Sequence, residues 1–328
     1  MKAAALSLTQ RPWWPMAKRT VALLFFLGVA ALLLRQARSI DWQEVLQAIR
    51  ELPLSTLVIA GGLAACSHAL YSSYDLLGRH LTGHSLGTRT VMGITFISYA
   101  FNLNLGSMVG GVAFRFRLYS RLGLGANTIT RILGFSMLTN WAGYLVAAGI
   151  AFCFWPPALP PDWKLSSAGL RVVGAAALLA ATGYVLFCAW AHGRSWWVRG
   201  HEIEPPGPRM ALLQLLMSCT NWSLIGGVLW VLLQGKVAYL HVLAVLLCSA
   251  LAGLIVRVPA GLGVLEAVFV ALLAYRVPQG QLLAMLLAYR GIYYLLPLML
   301  ATVAYVATEM RARHQRPPAS AQRHRRYV

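Results

Sequence analysis

Residues Asn102–Gly111, which have the sequence NLNLGSMVGG, interrupt an apolar segment that runs from residue 90 to residue 113. Glycine and asparagine disfavour continuous helix, and a break that faced lipid would leave backbone polar groups without hydrogen-bond partners. A membrane tolerates such a break only where the backbone is buried in protein or lines a hydrated cavity. The arrangement of the whole chain depends on whether this segment crosses the bilayer or turns back within it.

The composition is that of an integral membrane protein. Of the 328 residues, 59% are hydrophobic and 11% are charged, whereas soluble domains carry about 25% charged residues. The apolar residues form continuous segments near the ~20-residue length that spans hydrocarbon, which predicts helices rather than spanning strands. The segments are 20–34, 53–78, 90–113, 126–154, 168–191, 210–233, 238–256, 260–274 and 282–308.

Basic residues predict the orientation of these segments. The net charge is +19, and the positive-inside rule accounts for most of it, so the charge does not indicate a nucleic acid partner. Lysines and arginines in residues 1–19 and 309–328 place both termini in the cytoplasm, and we expect the C-terminal tail to be disordered. We expect segment 20–34 to be a retained helix, because the residues that follow it form a poor signal-peptide cleavage site.

The segment around the opening stretch is expected to be a re-entrant hairpin. The loops 79–89 and 115–121 are both basic, so both are expected in the cytoplasm, and segment 90–113 cannot cross the membrane once between them. Two crossings need about 40 residues, which is more than this segment has. A hairpin that enters and returns is therefore the simpler prediction.

The same argument from the sidedness of the flanking segments predicts a second re-entrant hairpin at segment 238–274. Its centre contains Pro259, Gly261 and Gly263. The two hairpins would enter from opposite faces and could form an inverted repeat, in which broken helices meet near the midplane and shape a site. The predicted fold is an all-α polytopic membrane protein, with a single membrane domain over residues 20–308, six full crossings and two re-entrant hairpins. Residues 39–51 have one apolar face and predict a short helix in the interface.

The sequence at these breaks resembles the lysylphosphatidylglycerol synthase transmembrane-region family. The resemblance is carried by VPAGLGVLE at residues 258–266 and by Gly110-Gly111 leading to Arg115, and it covers residues 18–308. It implies lipid handling in the bacterial inner membrane. In the larger family, this region is the flippase half of multiple-peptide-resistance factors, which moves aminoacylated phosphatidylglycerol between leaflets. The stretches that look like the small inner-membrane, YbhN-like branch are Phe101–Asn104, Arg117–Leu124 and Leu287–Arg290.

The sequence departs from those factors at its C-terminus. They carry a soluble aminoacyl-transfer domain, whereas this chain ends 20 residues after segment 282–308, so we expect it not to make lysyl-lipid by itself. The motifs HExxH and GxxxxGK[ST] are absent. We therefore expect neither an enzyme nor a cofactor or metal site, and we interpret the five cysteines as small buried hydrophobic residues.

Charged residues inside apolar segments are costly and mark candidate functional sites. Arginines there could bind a lipid phosphate bidentately, and tyrosines could donate to a headgroup. The structural alternative is that Glu266 neutralises Arg257 or Arg290. The candidate lipid-binding residues are Arg257, Glu266, Arg290, Arg115, Arg117, Tyr289, Tyr293 and Asn102, and the candidate turn residues are Gly110, Gly111, Pro259, Gly261 and Gly263.

Other polar residues have structural interpretations. Asp75 is interpreted as a partner of Arg79, which follows it by four residues on a helix. Asn104 is as suited to satisfying broken backbone as to binding a substrate. The repeated motif Thr-Asn-Trp at 139–141 and 220–222 favours hydrogen bonds between helices, and His68 is given no role.

The first functional hypothesis is a flippase-like translocase of phospholipid or a lipid headgroup, passive or coupled to an ion gradient, with Glu266 as the proton carrier. The alternative is a non-transporting scaffold or regulator of phospholipid synthesis, for example of cardiolipin, or of envelope lipid traffic. A lipid-modifying enzyme is the third hypothesis. The expected partners are membrane phospholipid and either a lipid-synthesis enzyme or a second copy of the chain.

Overall fold

The computed structural model of the protein describes residues 42–160, 163, 166–194, 196–198, 201–203, 205–256 and 263–314. In this part of the chain, six helical stretches are long and apolar enough to cross a membrane. They are Leu54–Thr82, Ala126–Phe154, Ser167–Trp190, Pro208–Leu232, Tyr239–Val256 and Gln279–Met310. The predicted class, an all-α polytopic membrane protein, is confirmed.

The elements follow one another as helices with two π-helical segments and one short antiparallel β-hairpin. In chain order they are α1 (Trp42–Arg50), α2 (Leu54–Ser72), α3 (Tyr74–Thr82), α4 (Thr88–Leu105), π1 (Ser107–Ala113), α5 (Phe114–Arg121), α6 (Ala126–Phe154), α7 (Ser167–Trp190), β1 (Trp196–Val198), β2 (His201–Ile203), α8 (Pro208–Leu232), α9 (Tyr239–Val256), α10 (Val264–Leu273), α11 (Gln279–Tyr289), π2 (Arg290–Leu295) and α12 (Leu296–His314).

Five of the six predicted crossings coincide with long apolar helices. The sixth, segment 20–34, lies outside the described residues, as do residues 1–19, most of the C-terminal tail, and Arg257, Pro259 and Gly261. A sixth helix that is long enough to cross the membrane is α9, which the sequence predicted as one arm of a hairpin. The predicted crossings that match are 53–78, 126–154, 168–191, 210–233 and 282–308.

The opening stretch forms a helical hairpin. Its first arm, α4, ends before Gly106, whose φ of +83° and ψ of 166° are accessible to glycine but not to larger residues. The chain then returns through π1 and α5, and the rings of Phe101 and Phe114 stack across the arms with centroids 4.2 Å apart. At Gly110 a Cβ atom would lie 2.2 Å from the carbonyl carbon of Phe101. The missing side chain therefore lets the two backbones touch.

The second predicted hairpin corresponds to α9 and α10, which pack against each other. The α9 helix has 18 residues, so it is about 27 Å long, whereas α10 has 10 residues. The arms are therefore unequal, and the longer one approaches the thickness of the hydrocarbon core. The re-entrant position of both hairpins in a bilayer stays a prediction.

The two ends of the molecule are held by different contacts. At one end α1, the predicted interfacial helix, packs on α11, and Lys236 Nζ donates to Gln281 Oε1 at 2.6 Å. At the other end, both Arg117 and Arg121 form ion pairs with Glu309 near the end of α12. The basic end of the first hairpin and the end of the last helix therefore share one face of the protein, as the charge pattern predicted.

Hydrogen bonds between helices fix the central part of the bundle. Trp222 Nε1 in α8 donates to the backbone oxygen of Asn140 in α6 at 3.3 Å. In addition, Gln214 Nε2 donates to Thr139 Oγ1 at 2.7 Å. The predicted role of the repeated Thr-Asn-Trp motif in interhelical bonding is confirmed. The five cysteines are free thiols in the structure. Cys188 is buried, but Cys66 is exposed and the other three are partly exposed, so the interpretation of all five as buried residues is wrong.

Candidate functional site

A cavity of about 250 Å³ lies where the two hairpins meet π2 and α8. Its walls are mainly aromatic and aliphatic, with a few hydroxyl, amide and backbone groups. This composition is typical of sites that take an amphipathic ligand. The lining residues are Tyr99, Asn102, Leu103, Trp222, Ile225, Leu246, Ser249, Ala250, Gly253, Val264, Leu265, Tyr289, Tyr293 and Tyr294.

An ion pair borders this cavity. Arg290 Nε donates to Glu266 Oε1 at 2.5 Å, and Arg290 Nη2 donates to Glu266 Oε2 at 3.1 Å. The two residues directly follow lining residues in the chain, and both side chains are partly exposed, at 14% and 23%. The structure thus selects Arg290 as a partner of Glu266, while Arg257 lies outside the described residues.

The ion pair is oriented by neighbouring groups. The backbone N–H of Gly263 donates to Glu266 Oε2 at 3.1 Å, so the first turn of α10 helps to hold the carboxylate. The Arg290 guanidinium lies 5.3 Å from the ring centroid of Tyr294, within the range of cation–π attraction. A preorganised, partly accessible guanidinium beside a cavity can bind a phosphate if the ligand competes with Glu266.

A chain of hydroxyl groups runs from the cavity wall into the bundle. Ser67 Oγ donates to Asn221 Oδ1 at 2.7 Å, so the other bond of Ser67, to Tyr293 OH at 2.7 Å, is donated by the tyrosine. Tyr99 OH lies 3.2 Å from Tyr293 OH and is therefore the next donor. Because each hydroxyl has one proton, the bond at Asn221 fixes the direction of all three.

The π2 segment carries both the ion pair and part of this chain. It begins at Arg290 and includes Tyr293, and its position is braced by Asn104, whose Nδ2 donates to the backbone oxygen of Tyr294 at 3.3 Å. π-Helical turns are rare and recur at functional sites. Here one such turn connects the guanidinium to the first hairpin. Asn104 thus donates a hydrogen bond to the backbone of an irregular helical turn, which is one of its two predicted roles.

Arg115 lies away from the cavity lining, in a buried polar network. Its Nε and Nη2 donate to the two oxygens of Asp75 at 3.0 and 3.2 Å, and Tyr119 OH donates to Asp75 Oδ2 at 2.9 Å. The side chains of the pair are 4% and 0% exposed. The predicted pairing of Asp75 with Arg79 is wrong, because Arg79 turns away and donates to Leu86 O and Thr88 Oγ1.

Arg117 is a surface residue. Its side chain is 57% exposed, its Nη2 lies 3.5 Å from Glu309 Oε2, and its guanidinium lies 5.7 Å from the ring centroid of Tyr305. These contacts attach the end of the first hairpin to α12. This candidate lipid-binding residue therefore does not line the cavity.

The structure brings together five of the predicted site residues around one cavity. Tyr289 and Tyr293, predicted to share a face, stack with ring centroids 5.3 Å apart and both line it. Asn102 also lines it, and Glu266 and Arg290 stand at its border. Of the predicted turn residues, Gly110 and Gly111 lie against Phe101 and Asn102, and Gly263 precedes α10.

Tyr99, Tyr294 and Trp222 line the cavity but were not among the predicted site residues. Aromatic residues are common in membrane helices, so their type alone carried no signal. The helical spacing of Tyr294 relative to Tyr289 does not suggest a shared site, because it is the π turn that brings both to the cavity. Within the described residues, no group of three or more histidine, cysteine, aspartate or glutamate side chains could hold a metal ion.

Comparison with known proteins identifies relatives over nearly the whole chain. A profile for the family described as "Lysylphosphatidylglycerol synthase TM region" matches residues 19–301. The chain is 45% identical over 306 residues to the inner membrane protein YbhN of Escherichia coli, covering 93% of this chain and 96% of that protein. It is 30% identical over 302 residues to the uncharacterized protein slr0712 of Synechocystis, covering 88% and 90%.

More distant relatives are the phosphatidylglycerol lysyltransferases of Staphylococcus aureus. One is 23% identical over 303 residues, which are 87% of this chain but 33% of the lysyltransferase. The present chain therefore corresponds to about a third of those proteins. The predicted family resemblance, including that to the YbhN-like branch, is confirmed.

Proposed function

Because this chain belongs to the lysylphosphatidylglycerol synthase TM-region family, we propose that it moves a phospholipid, or the headgroup of one, between the leaflets of a bacterial inner membrane. The observation that carries the proposal is the cavity shared by the two hairpins and bordered by the Arg290–Glu266 pair. A translocation site must accept a charged headgroup within hydrocarbon. This cavity offers a guanidinium, hydroxyl groups and aromatic walls at such a place.

In this proposal Arg290 binds the lipid phosphate. In the structure, Arg290 Nε and Nη2 both donate to Glu266, which neutralises the charge. A phosphate offers the same bidentate geometry as a carboxylate and can exchange with it. Glu266 would then be released from Arg290 while its bond from Gly263 N–H remains. The exchange keeps the guanidinium paired throughout, which limits the cost of charge inside the membrane.

The acyl chains are proposed to stay outside the cavity. The lining residues Gly253 and Tyr294 are followed in the chain by Leu254 and Leu295, which are 54% and 53% exposed. Apolar side chains exposed on a membrane protein face lipid. A headgroup could therefore occupy the cavity while its tails pass between these side chains into hydrocarbon.

The test is a leaflet assay in proteoliposomes that contain fluorescent phosphatidylglycerol. A charge-assisted hydrogen bond contributes about 1.5–3 kcal/mol, so Arg290→Ala is expected to slow lipid movement about ten- to hundredfold, and Tyr293→Phe less. Arg121→Ala removes an arginine whose partner is Glu309, outside the cavity lining, and is expected to keep the wild-type rate. Wild-type movement in Arg257→Ala, Glu266→Gln and Arg290→Ala alike would refute the site.

The scaffold hypothesis predicts a different result. It requires that purified protein moves no lipid, and that all three charge variants still complement a deletion strain. A lipid-modifying activity would appear as turnover of radiolabelled phospholipid by the purified protein. We propose neither, because the cavity and its ion pair have no assigned use in a scaffold.

A further inference from the structure

We propose that His68 is a proton-binding site that couples lipid movement to a proton gradient, an inference that rests on the proposed function. His68 lies in α2, its residue is 4% exposed, and it belongs to no motif that the sequence identified. The ligand is a single proton, and the atom that binds it is Nδ1.

The tautomer of His68 follows from its hydrogen bond. Nε2 lies 3.1 Å from the backbone oxygen of Tyr293. A carbonyl oxygen can only accept, so Nε2 carries the hydrogen and Nδ1 of the neutral ring carries the lone pair. Among the described residues, this Nδ1 is buried and has no hydrogen-bond partner. An unsatisfied buried acceptor costs about 1–3 kcal/mol and calls for a functional explanation.

The surroundings of His68 suit a proton that is bound and then released. The titratable groups that face the ring are the phenols of Tyr99 on α4, at a centroid distance of 5.2 Å, and of Tyr293 on π2, at 4.8 Å. The ring of Phe96 is the third neighbour, at 5.9 Å. Aromatic faces attract an imidazolium but do not trap it as a carboxylate would.

Charged groups near this part of α2 are already paired. The acid nearest along the chain, Asp75, binds Arg115 through both oxygens. Tyr71 stacks on Tyr99, with 3.5 Å between the ring centroids. Glu266, the proton carrier suggested by the sequence, has its oxygens engaged by Arg290 and Gly263 N–H. A proton that bound there would have to displace those donors, whereas Nδ1 of His68 has none to displace.

The proton can influence the lipid site through π2. His68 Nε2 bonds to the carbonyl of Tyr293, and Tyr293 belongs to the π-helical turn that starts at Arg290. Protonation of Nδ1 converts the bond at Nε2 into a charge-assisted one, which is shorter and stronger. The pull on the Tyr293 carbonyl therefore acts on the same turn that positions the Arg290 guanidinium.

The coupling step conserves the proton. A proton from water adds to the Nδ1 lone pair, and the same proton leaves Nδ1 when the cycle is completed. Only one layer of side chains separates the ring from the cavity, because Tyr99 and Tyr293 both contact it and both line the cavity.

The test compares lipid movement with and without a pH gradient. Proteoliposomes of phosphatidylethanolamine and phosphatidylglycerol would carry a fluorescent phosphatidylglycerol, and its leaflet would be determined by chemical quenching. We expect the wild type to respond several-fold to a gradient of one pH unit, since such a gradient corresponds to about a tenfold change in proton activity. His68→Gln keeps an N–H donor for Tyr293 but cannot titrate, and is expected to move lipid equally with and without the gradient.

His241→Gln is the matched control. His241 lies in the first turns of α9, outside the cavity lining, and its Nδ1 also has no partner in the described part of the chain. This variant should keep the wild-type response to the gradient. A wild type that moves lipid without any response, or a His68→Gln variant that keeps the response, would overturn the coupling while leaving the translocase proposal intact.

A second measurement decides the matter if the wild type moves no lipid. Protein with ¹⁵N-labelled histidine in nanodiscs would be titrated by NMR, with and without phosphatidylglycerol, and His68→Gln would assign the resonance. We expect the Nδ1 signal to titrate with a midpoint that phosphatidylglycerol changes. A signal that does not titrate, or that titrates identically in both discs, would rule out the coupling role.

Discussion

At the scale of single residues, the buried Asp75–Arg115 pair is the main feature that local sequence reasoning missed. Its members are 40 positions apart, and four of its polar contacts are within the bundle: two between the charges, one from Tyr119 and one to Ser136 at 3.4 Å. A buried ion pair contributes little net stability relative to a hydrophobic pair, but breaking it leaves an isolated charge. The pair therefore holds α3 against the first hairpin.

Asp75→Asn is expected to destabilise the protein by about 3–5 kcal/mol, because Arg115 would remain charged and without a carboxylate in a buried place. Thermal unfolding in detergent would measure the loss as a lower transition midpoint. Glu309→Gln is the comparison, since that carboxylate also binds two arginines but lies at the surface, where ion pairs contribute little. Equal decreases in the unfolding midpoint for the two variants would contradict the assignment of Asp75 to a buried ion pair that stabilises the fold.

The Arg290–Glu266 pair was foreseen as one of two alternatives. Arginine and glutamate inside apolar segments have few possible partners, so the sequence restricted the choice to Arg257 or Arg290. Asp75 has a basic residue four positions ahead, and the local rule for helices selected it wrongly. The error arises because Asp75, although it shares α3 with Arg79, faces Arg115 of the first hairpin, and this tertiary contact has no signal in the local sequence pattern.

At the scale of elements, the first hairpin depends on the contact between its arms. Gly110→Ala would place a methyl group 2.2 Å from the backbone of Phe101 and Asn102, and backbone atoms cannot move aside as a flexible side chain can. We expect a loss of about 3 kcal/mol or more, at the upper end of what overpacking costs. The readout is the unfolding midpoint together with the leaflet assay, because separated arms would also displace Asn102 from the cavity.

Gly93→Ala is the control for that substitution. Gly93 lies in the same arm, and a Cβ there would meet no atom within 4 Å. Alanine has a higher helix propensity than glycine, so this variant should be as stable as the wild type or slightly more stable. A similar loss at both positions would show that the arm tolerates no change, rather than that Gly110 is a contact point.

The π-helical turns could not be predicted from the sequence. A π turn has the same composition as the α-helix around it, and its place is decided by packing against other elements. In π2, the turn accommodates Asn104 from the first hairpin and His68 from α2, both of which bond to its carbonyls. The candidate cavity therefore depends on contacts between segments that are about 200 residues apart.

At the scale of the whole molecule, the shared face of the hairpin and the last helix leads to a topology prediction. With the five native cysteines replaced, Ser85→Cys and Ser120→Cys should both react with an impermeant maleimide from the cytoplasmic side, because both stand at the basic end. Lys236→Cys, at the opposite end beside α1, should react only from outside. Inverted membrane vesicles and intact cells would separate the two results.

Reaction of Ser85→Cys and Ser120→Cys from opposite sides would mean that segment 90–113 crosses the bilayer once. Labelling of all three from one side would refute the orientation of α8 and α11. A uniform bundle of single crossings predicts the first of these outcomes, and the re-entrant arrangement predicts neither.

Most of the architecture could be predicted because helices in lipid need long apolar segments, and such segments are visible in composition alone. The break at Gly106 was visible for the same reason, since glycine and asparagine are conspicuous there. What could not be predicted was which segments meet. Tyr99, Trp222 and Tyr293 line one cavity because their helices pack together. Which helices pack together cannot be predicted from the local sequence of each helix.

The Asp75–Arg115 ion pair also has a consequence for the insertion of the protein into the membrane during synthesis. At a synthesis rate of about 5–20 residues per second, the 40 positions between the two charges mean that the ribosome produces Asp75 about 2–8 seconds before Arg115. A lone charge released into lipid during that interval would cost about 2.5–3.5 kcal/mol on translocon-based scales. Release of residues 54–121 into the lipid as one unit, after α5 has emerged, would avoid that cost.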